Sequence, residues 1–315
     1  QRKFYEMDPA LYKAMLGMDA EISGKLVKLL SHPSKWLRAG ATGLNPDFVV
    51  SNLWRDNLGA FIQSRYGFKP GVDFTKGFFS MVNRDELYWQ FKAAGGDFAA
   101  ITSLDRDHLQ KMQKALFREK MFTDYVNPVE AMRLINETIE KAPRIGEFAR
   151  ARASLGGSRA ALKEAALAAR DVTIDFSRMG AKTQALNSMI AFFNPAIQGI
   201  DKMGRTFRAN PVGASVKAAT SITIPSLILY ALGRNDPDIQ EIPRELKDRY
   251  WFMRVSEDKI VRIPKPFEWG VLFGSYAERA FEFIDKKDPS AFDEILENSV
   301  KNSSPSIIPT VALPL

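Results

Sequence analysis

Apolar residues recur at helical spacing along most of the chain, and Gly, Pro and Asx residues mark the breaks between runs. Across residues 9–30, Leu11, Met15, Met18, Ile22, Leu26 and Leu29 share one face, which predicts an amphipathic helix ended by His32-Pro33. A second helix starts at Asn45-Pro46 and carries Phe48, Val49, Leu53, Trp54, Leu58, Phe61 and Ile62. Residues 66–76 read as a loop, since Gly67, Pro70 and Gly71 break the periodicity. A short helix over 85–94 closes at Gly95-Gly96, and a longer polar one covers 105–122. Asn127-Pro128 begins the next, with Glu130 placed for a capping box, and Pro143 interrupts it beyond Lys141. The pattern resumes over 145–170 through Phe148, Leu155, Leu162, Ala166 and Leu167, with a hinge or a close helix approach at Gly156-Gly157. The Ala-rich run 159–170 suits either tight helix packing or an ordinary surface helix.

Asp or Asn precedes Pro at seven places: Asp8, Asn45, Asn127, Asn194, Asn210, Asp236 and Asp288. An Asx side chain accepts from the free N–H groups of a first helical turn while Pro presets φ, so this punctuation predicts a mostly helical protein. Residues 170–199 combine paired charges, a Gly, a double aromatic and Asn194-Pro195, which is the pattern of a packed helical junction. From Asn194 as cap, a helix runs from Pro195 to Ala209. Residues 212–232 are apolar over about the length a bilayer span needs. Residues 250–255 and 259–263 flank Ser256-Glu257-Asp258 and read as a β-hairpin, followed by helices over 267–284 and from Asp288-Pro289 to about Val300. The fold class is mainly α: multi-helix, elongated, with one small hairpin near 250–263. The expected organisation is a helical region over 1–140 and a helical domain with the hairpin over 141–315. The chain opens on Gln1 and reads as a piece of a longer polypeptide.

Composition removes several chemistries. There is no Cys and there are two His, His32 and His108, which excludes disulfide scaffolds and thiolate sites and leaves almost no material for His-based metal or triad chemistry. His108 sits among Asp105, Asp107 and Gln110, read here as a helix start whose acids complement the dipole. No cofactor, no metal and no small-molecule substrate is expected. No phosphate-cradling loop, H-E-x-x-H pair or Ser-His-Asp set is present, so catalysis in this chain is not expected.

The net charge of +7 is unevenly placed: +2 over 1–140, +7 over 141–210 and −2 over 211–315. Arg150, Arg152, Arg159, Lys163, Lys202, Arg205 and Arg208 are the candidates for contact with a double-stranded DNA backbone, in a salt-sensitive manner without sequence preference. The plainer alternative is that this excess is solvated or paired with acids. In the junction, Arg170, Asp171, Asp175 and Arg178 form a local ion-pair clasp, Phe176, Phe192 and Phe193 pack, and Gly180, Asn194 and Pro195 shape the turn. Two readings of 212–232 stand. Lys217, Pro225 and the hydroxyls favour a buried helix in an assembly, whereas Ile222, Ile224, Leu227, Ile228 and Leu229 would carry a segment that enters a host membrane.

The run A-x-x-A-R-D-V-T-I-D-F-S-R-M-G from Ala166, F-F-N-P-A-I-Q-G at 192–199, I-P-K-P-F-E-W-G-V-L-F-G at 263–274, Glu278-Arg279-Ala280 and N-S-x-x-S-I-I-P-T near the end resemble a large polyvalent-protein-associated domain, the thirty-eighth of that series, from about Glu147 onward. The resemblance implies a module without assigned catalysis, carried in giant proteins of tailed phages. It implies an internal virion, core or ejection role: a homo-oligomer beside other internal, portal or tail proteins, leaving the virion interior for the host envelope or cytoplasm with the genome. The alternatives are a DNA-protecting, antirestriction-type binding module and a cell-wall glycan-cleaving domain.

Overall fold

The computed structural model describes residues 46–97, 128–175, 193–287, 289–292, 295 and 297–299. These residues are mostly helical, with a single antiparallel hairpin among them. The helices expected over 9–30 and 105–122, both histidines and the tail beyond 300 lie outside the described residues.

The first group of elements is α1 (Pro46–Gln63), α2 (Val72–Asn83), α3 (Glu86–Ala93), α4 (Pro128–Leu155) and α5 (Arg159–Asp171). Asp85 caps α3, its carboxylate accepting from Tyr88 N at 3.1 Å, at the start of the helix expected over 85–94. Helix α2 is a departure. The expected loop stops at Gly71, whose φ of 82° only glycine adopts freely, and Val72 onward is helical. Asp73 fixes that start by accepting from Lys69 N at 2.6 Å and from Arg150 Nε at 2.5 Å. Helix α4 is a second departure, since it passes through Pro143 without ending. Proline removes one helical hydrogen bond, but α4 is held against α2 on both sides of it. Gly77 of α2 lies against the Ala142 carbonyl, and Gly146 of α4 lies against the Asp73 carbonyl, so the two backbones touch directly.

Behind this contact, Met81, Leu87, Tyr88 and Phe91 pack on Ile145, Phe148 and the buried alanines of α5. Phe91 meets Phe148 edge to face at 5.7 Å. The Ala-rich run is thus a packing surface, with Ala161, Ala165, Ala166 and Ala169 turned inward. Gly156, at φ 92°, makes the corner between α4 and α5, and Ser158 caps α5 by accepting from Ala161 N at 3.2 Å. Residues on the two sides of position 140 therefore share one core.

The second group begins with α6 (Phe193–Ala209) and continues into one long helix, Pro211–Gly233. That helix consists of α7 (Pro211–Ala218), a π turn (Ala219–Thr223) and α8 (Ile224–Gly233). Short helices α9 (Pro237–Glu241) and α10 (Arg244–Arg249) lead to strands β1 (Tyr250–Ser256) and β2 (Lys259–Pro264). Tyr250 pairs with Pro264 and Arg254 with Ile260, which is the expected hairpin. Then follow α11 (Phe267–Gly270), a second π turn (Val271–Ser275), α12 (Tyr276–Lys286) and a 3₁₀ turn (Pro289–Phe292). The core here joins Leu58 and Ile62 of α1 to Ala214, Ala218, Ile222, Trp251 and Trp269, beside stacked Phe207, Trp269 and Phe273 rings.

Asx-Pro punctuation is realised at Asn210, whose Oδ1 accepts from Gly213 N at 2.9 Å, and at Asp236, which accepts from Asp238 N at 3.1 Å and Ile239 N at 3.2 Å. Asn194 is an exception: α6 starts at Phe193, so Asn194 and Pro195 stand in its first turn, where a missing proline N–H leaves no bond broken.

The first π turn follows from Pro225. Its ring has no N–H for the Ser221 carbonyl, and the helix widens just before it, with Ile224 N bonding back to Ala219 O. Hydroxyls of the π turn bond back to the preceding turn: Thr220 Oγ1 donates to Val216 O at 2.9 Å and Ser221 Oγ to Lys217 O at 2.7 Å. Thr223 Oγ1 crosses to Phe273 O, in the second π turn, at 2.7 Å. The two helices can meet there because Gly274 has no side chain; a Cβ on it would stand 2.9 Å from Ser226 Oγ.

Candidate functional site

The described part of the predicted junction is a buried polar node. The chain leaves α5 at Asp171, and the next residues are held from several sides. Arg144 of α4 donates through Nε to Thr173 Oγ1 at 2.6 Å and through Nη2 to Ile174 O at 3.0 Å and Glu140 at 3.0 Å. From α6, Lys202 Nζ donates to Thr173 O at 2.6 Å, and Gln198 Nε2 to Asp175 O at 2.8 Å. Arg205 pairs with Asp171 at 2.8 Å, and Arg170 pairs with Asp175 at 2.9 Å across the helix end. The expected clasp is thus partly local and partly long-range, since Asp171 also pairs with Arg65 of the α1–α2 connection. Phe176, Arg178, Gly180 and Phe192 lie outside the described residues, as do the side chains of Phe193, Asn194 and Pro195.

Two groups at this node are displaced in pKa toward neutrality. Burial raises half-buried Asp56 of α1 to about 7, with Glu140 adding to the effect and Arg144 and Lys202 opposing it. Burial lowers Lys202 to about 7, against the pull of Asp171. Asp171 stays below its ordinary value because, although burial would raise it, the hydrogen bond from Arg205 more than compensates. The signs fix a pH dependence. Between 3.8 and about 7 the folded chain keeps a proton on Asp56 that the unfolded chain has lost, so stability falls as pH rises. Between about 7 and 10.5 the unfolded chain keeps a proton on Lys202 that the folded chain has released, so stability rises with pH. These two contributions predict a stability minimum near neutrality. Denaturant midpoints measured on either side of it should both exceed the neutral one, and Asp56→Asn should flatten the acid limb.

The cationic candidates are distributed unequally. Lys202 is buried and engaged, Arg150 is paired with buried Asp73, and Arg205 is paired with both Asp171 and Asp201. Arg152 approaches Glu86 at 4.0 Å. Arg159 and Lys163, one turn apart on α5, and Arg208 on α6 are exposed. Their availability follows from where the acids lie in the tertiary fold, which the linear charge tally could not show.

A second buried node lies under the hairpin. Lys265 Nζ donates to Lys247 O at 2.7 Å, to Glu278 Oε2 at 2.7 Å and to Ser275 Oγ at 3.3 Å. Ser275 Oγ donates to Asp248 O at 2.9 Å, and the Asp248 carboxylate accepts from Arg279 Nη2 at 2.9 Å and Asn298 Nδ2 at 3.1 Å. Trp251 Nε1 donates to Ser226 Oγ at 2.6 Å, which ties the hairpin to α8. Burial raises the Glu278 carboxyl, with Lys265 opposing. Beside this node a small cleft is lined by Tyr230, Ile239, Lys247, Trp251, Glu278 and Glu282. Among the described residues no group of three His, Asp or Glu side chains could hold a metal ion. The sequence pattern marked Lys265, Glu278 and Arg279 as part of a signature, but nothing in it pointed to Asp248 or Ser226 as their partners.

The Pro211–Gly233 helix is, among the described residues, the one long and apolar enough to cross a membrane. Of the apolar residues singled out in the sequence, Ile222 is buried in the core, Leu227 and Leu229 are half-buried, and Ile224 and Ile228 are exposed. Its outer face is open within this chain, so burial of the whole helix would require a neighbour in an assembly.

Residues 236–315 match the family model described as large polyvalent protein associated domain 38. The match takes in the 263–274 run, Glu278-Arg279-Ala280 and the Ser- and Ile-rich tail, and it begins beyond the 170–199 stretch. No curated protein and no solved structure matches the chain.

Proposed function

We propose that this chain is a segment of an internal virion protein that assembles with copies of itself and travels with the genome into the host. The observation that carries the reading is the match over residues 236–315 to a family associated with polyvalent proteins of phages. The surface supports assembly. Val50 and Trp54 of α1, Val72 and Phe79 of α2 and Trp89 of α3 are large apolar side chains left exposed. The buried charged groups support a structural role, since both nodes spend their cations on backbone carbonyls and carboxylates of the chain itself.

The test is to purify particles of the encoding element, empty a portion of them, and quantify the parent polypeptide in both by mass spectrometry. Presence in filled particles and loss on emptying is the expected result; absence from filled particles would sink the proposal. A DNA-protecting role would rest on few side chains, because Lys202, Arg150 and Arg205 are already engaged. Any duplex retention at low salt is expected to fall on Arg159→Glu with Lys163→Glu in a gel-shift titration. Lys202→Glu is expected instead to lower the melting temperature, since its charge would be reversed inside the junction.

A further inference from the structure

We propose that the outward face of the Pro211–Gly233 helix is a lipid-docking surface, seating the folded chain on an anionic bilayer with this helix lying in the interface. Val212 and Leu232, 74% and 72% exposed, bound a stripe that also contains Val216, Ile224 and Ile228. Its opposite face, Ala214, Ala218, Ile222 and Ser226, is buried. Both faces repeat every four residues. A straight α-helix would rotate such a repeat steadily off its face, and the wider π turn at Ala219–Thr223 sets the phase back midway. The stripe from Val212 to Leu232 therefore stays on one face over about 30 Å, with exposed Thr220 between Val216 and Ile224.

Charge selects the occupant. Between Asp201 and Asp236 the chain has no acid, while Arg205, Arg208, Lys217 and Arg234 are cations. Lys217, the one charge within the helix, turns inward: its Nζ donates to Ser64 O at 3.2 Å and lies 5.4 Å from the centre of the Phe61 ring. The stripe itself is uncharged, and exposed Arg208 and Arg234, the latter also paired with Asp285, stand just beyond its two ends. That arrangement lets the apolar stripe enter the acyl boundary while both arginines stay level with the phosphates of one leaflet. A second copy fits less well, because pairing the stripe with itself in either direction brings arginines of two copies together. The Thr220, Ser221 and Thr223 hydroxyls are each already bonded, to Val216 O, Lys217 O and Phe273 O, so these three side chains bring no free donor to the lipid. With its inner face packed on α1 and the second π turn, the helix offers one side, and it lies on the bilayer rather than across it. The inference concerns this one face and does not depend on the delivery reading.

The test is flotation of the full chain with phosphatidylcholine–phosphatidylglycerol vesicles and with phosphatidylcholine vesicles alone. The chain should float with the anionic vesicles and less with the neutral ones. Ile224→Asp and Ile228→Asp should each weaken partitioning about ten-fold, with circular dichroism and melting temperature unchanged because both positions are exposed. Arg208→Glu should weaken flotation on anionic vesicles only. Wild-type chain remaining in the aqueous fraction overturns the proposal, as does equal flotation of the Ile variants. Conversion of an oligomer to monomer by those variants, without change in flotation, overturns it in favour of a second copy.

Discussion

Gly77→Ala is expected to cost about 3 kcal/mol of stability, at or above the upper end of ordinary overpacking in a core. An added Cβ would stand 2.0 Å from Ala142 O, 2.9 Å from Ala142 C and 3.0 Å from Gly146 N, all of them backbone atoms. No rotamer change relieves such a clash, so α2 must move away from α4. That movement loosens Met81 and the Asp73–Arg150 pair, which hold the first core closed. Gly146→Ala should behave alike, because its Cβ would meet Asp73 O at 2.4 Å. Gly59 in α1 supplies the contrast: nothing lies within 4 Å of a Cβ built there, and the helical backbone accepts alanine. Gly59→Ala should therefore raise stability by about 0.5–1 kcal/mol. Urea denaturation of the three variants checks the set, and equal midpoints for Gly77→Ala and Gly59→Ala would contradict the close helix contact.

Arg279→Met should destabilise the hairpin region by about 3–5 kcal/mol, the usual cost of leaving one member of a buried pair alone. Arg279 and Asp248 keep only 4% and 3% of their side-chain surfaces exposed, so water cannot replace the lost partner. Asp248→Asn combined with Arg279→Met should recover a substantial part of the loss, because the second change removes the stranded charge. Arg249→Met, whose pair with Glu245 is largely exposed, should change stability by no more than about 0.5 kcal/mol. A double-mutant cycle from thermal and urea unfolding measures the coupling, and additive losses would show that the pair is not a unit.

Features with a local cause were legible in the sequence. Helices open at Pro46 and at Asp236-Pro237, a short one follows Asp85, and the alternation around Ser256-Glu257-Asp258 gives the hairpin, because each rests on residues a few positions apart. Helix α2 was not legible. Its start is secured by Asp73 meeting Arg150, and of its buried residues Asp73, Gly77, Ser80 and Met81 only the last carries a hydrophobic mark. Pro143 was read as a break because the contact that keeps α4 whole comes from another helix. The charge tally located the cations of 141–210 but not their distant partners: Asp73 and Asp171 absorb Arg150 and Arg205 only once the helices are packed. The exposed stripe on 211–233 depends on a π turn, whose cause, Pro225, was visible, although its effect on helix phase was not.

Trp251 reaches Ser226 for its hydrogen bond, and Arg55 of α1 donates to Lys265 O at 3.0 Å while lying over the Phe267 ring. The portion that matches a known domain by sequence therefore does not close on itself. Its hairpin completes its bonding with a hydroxyl from the preceding helix, and its signature loop is held by a guanidinium from some two hundred residues upstream. What matches a family by sequence and what packs as a unit are different lengths of chain. A host protein acquiring residues 236–315 would also have to supply replacements for Ser226 and Arg55.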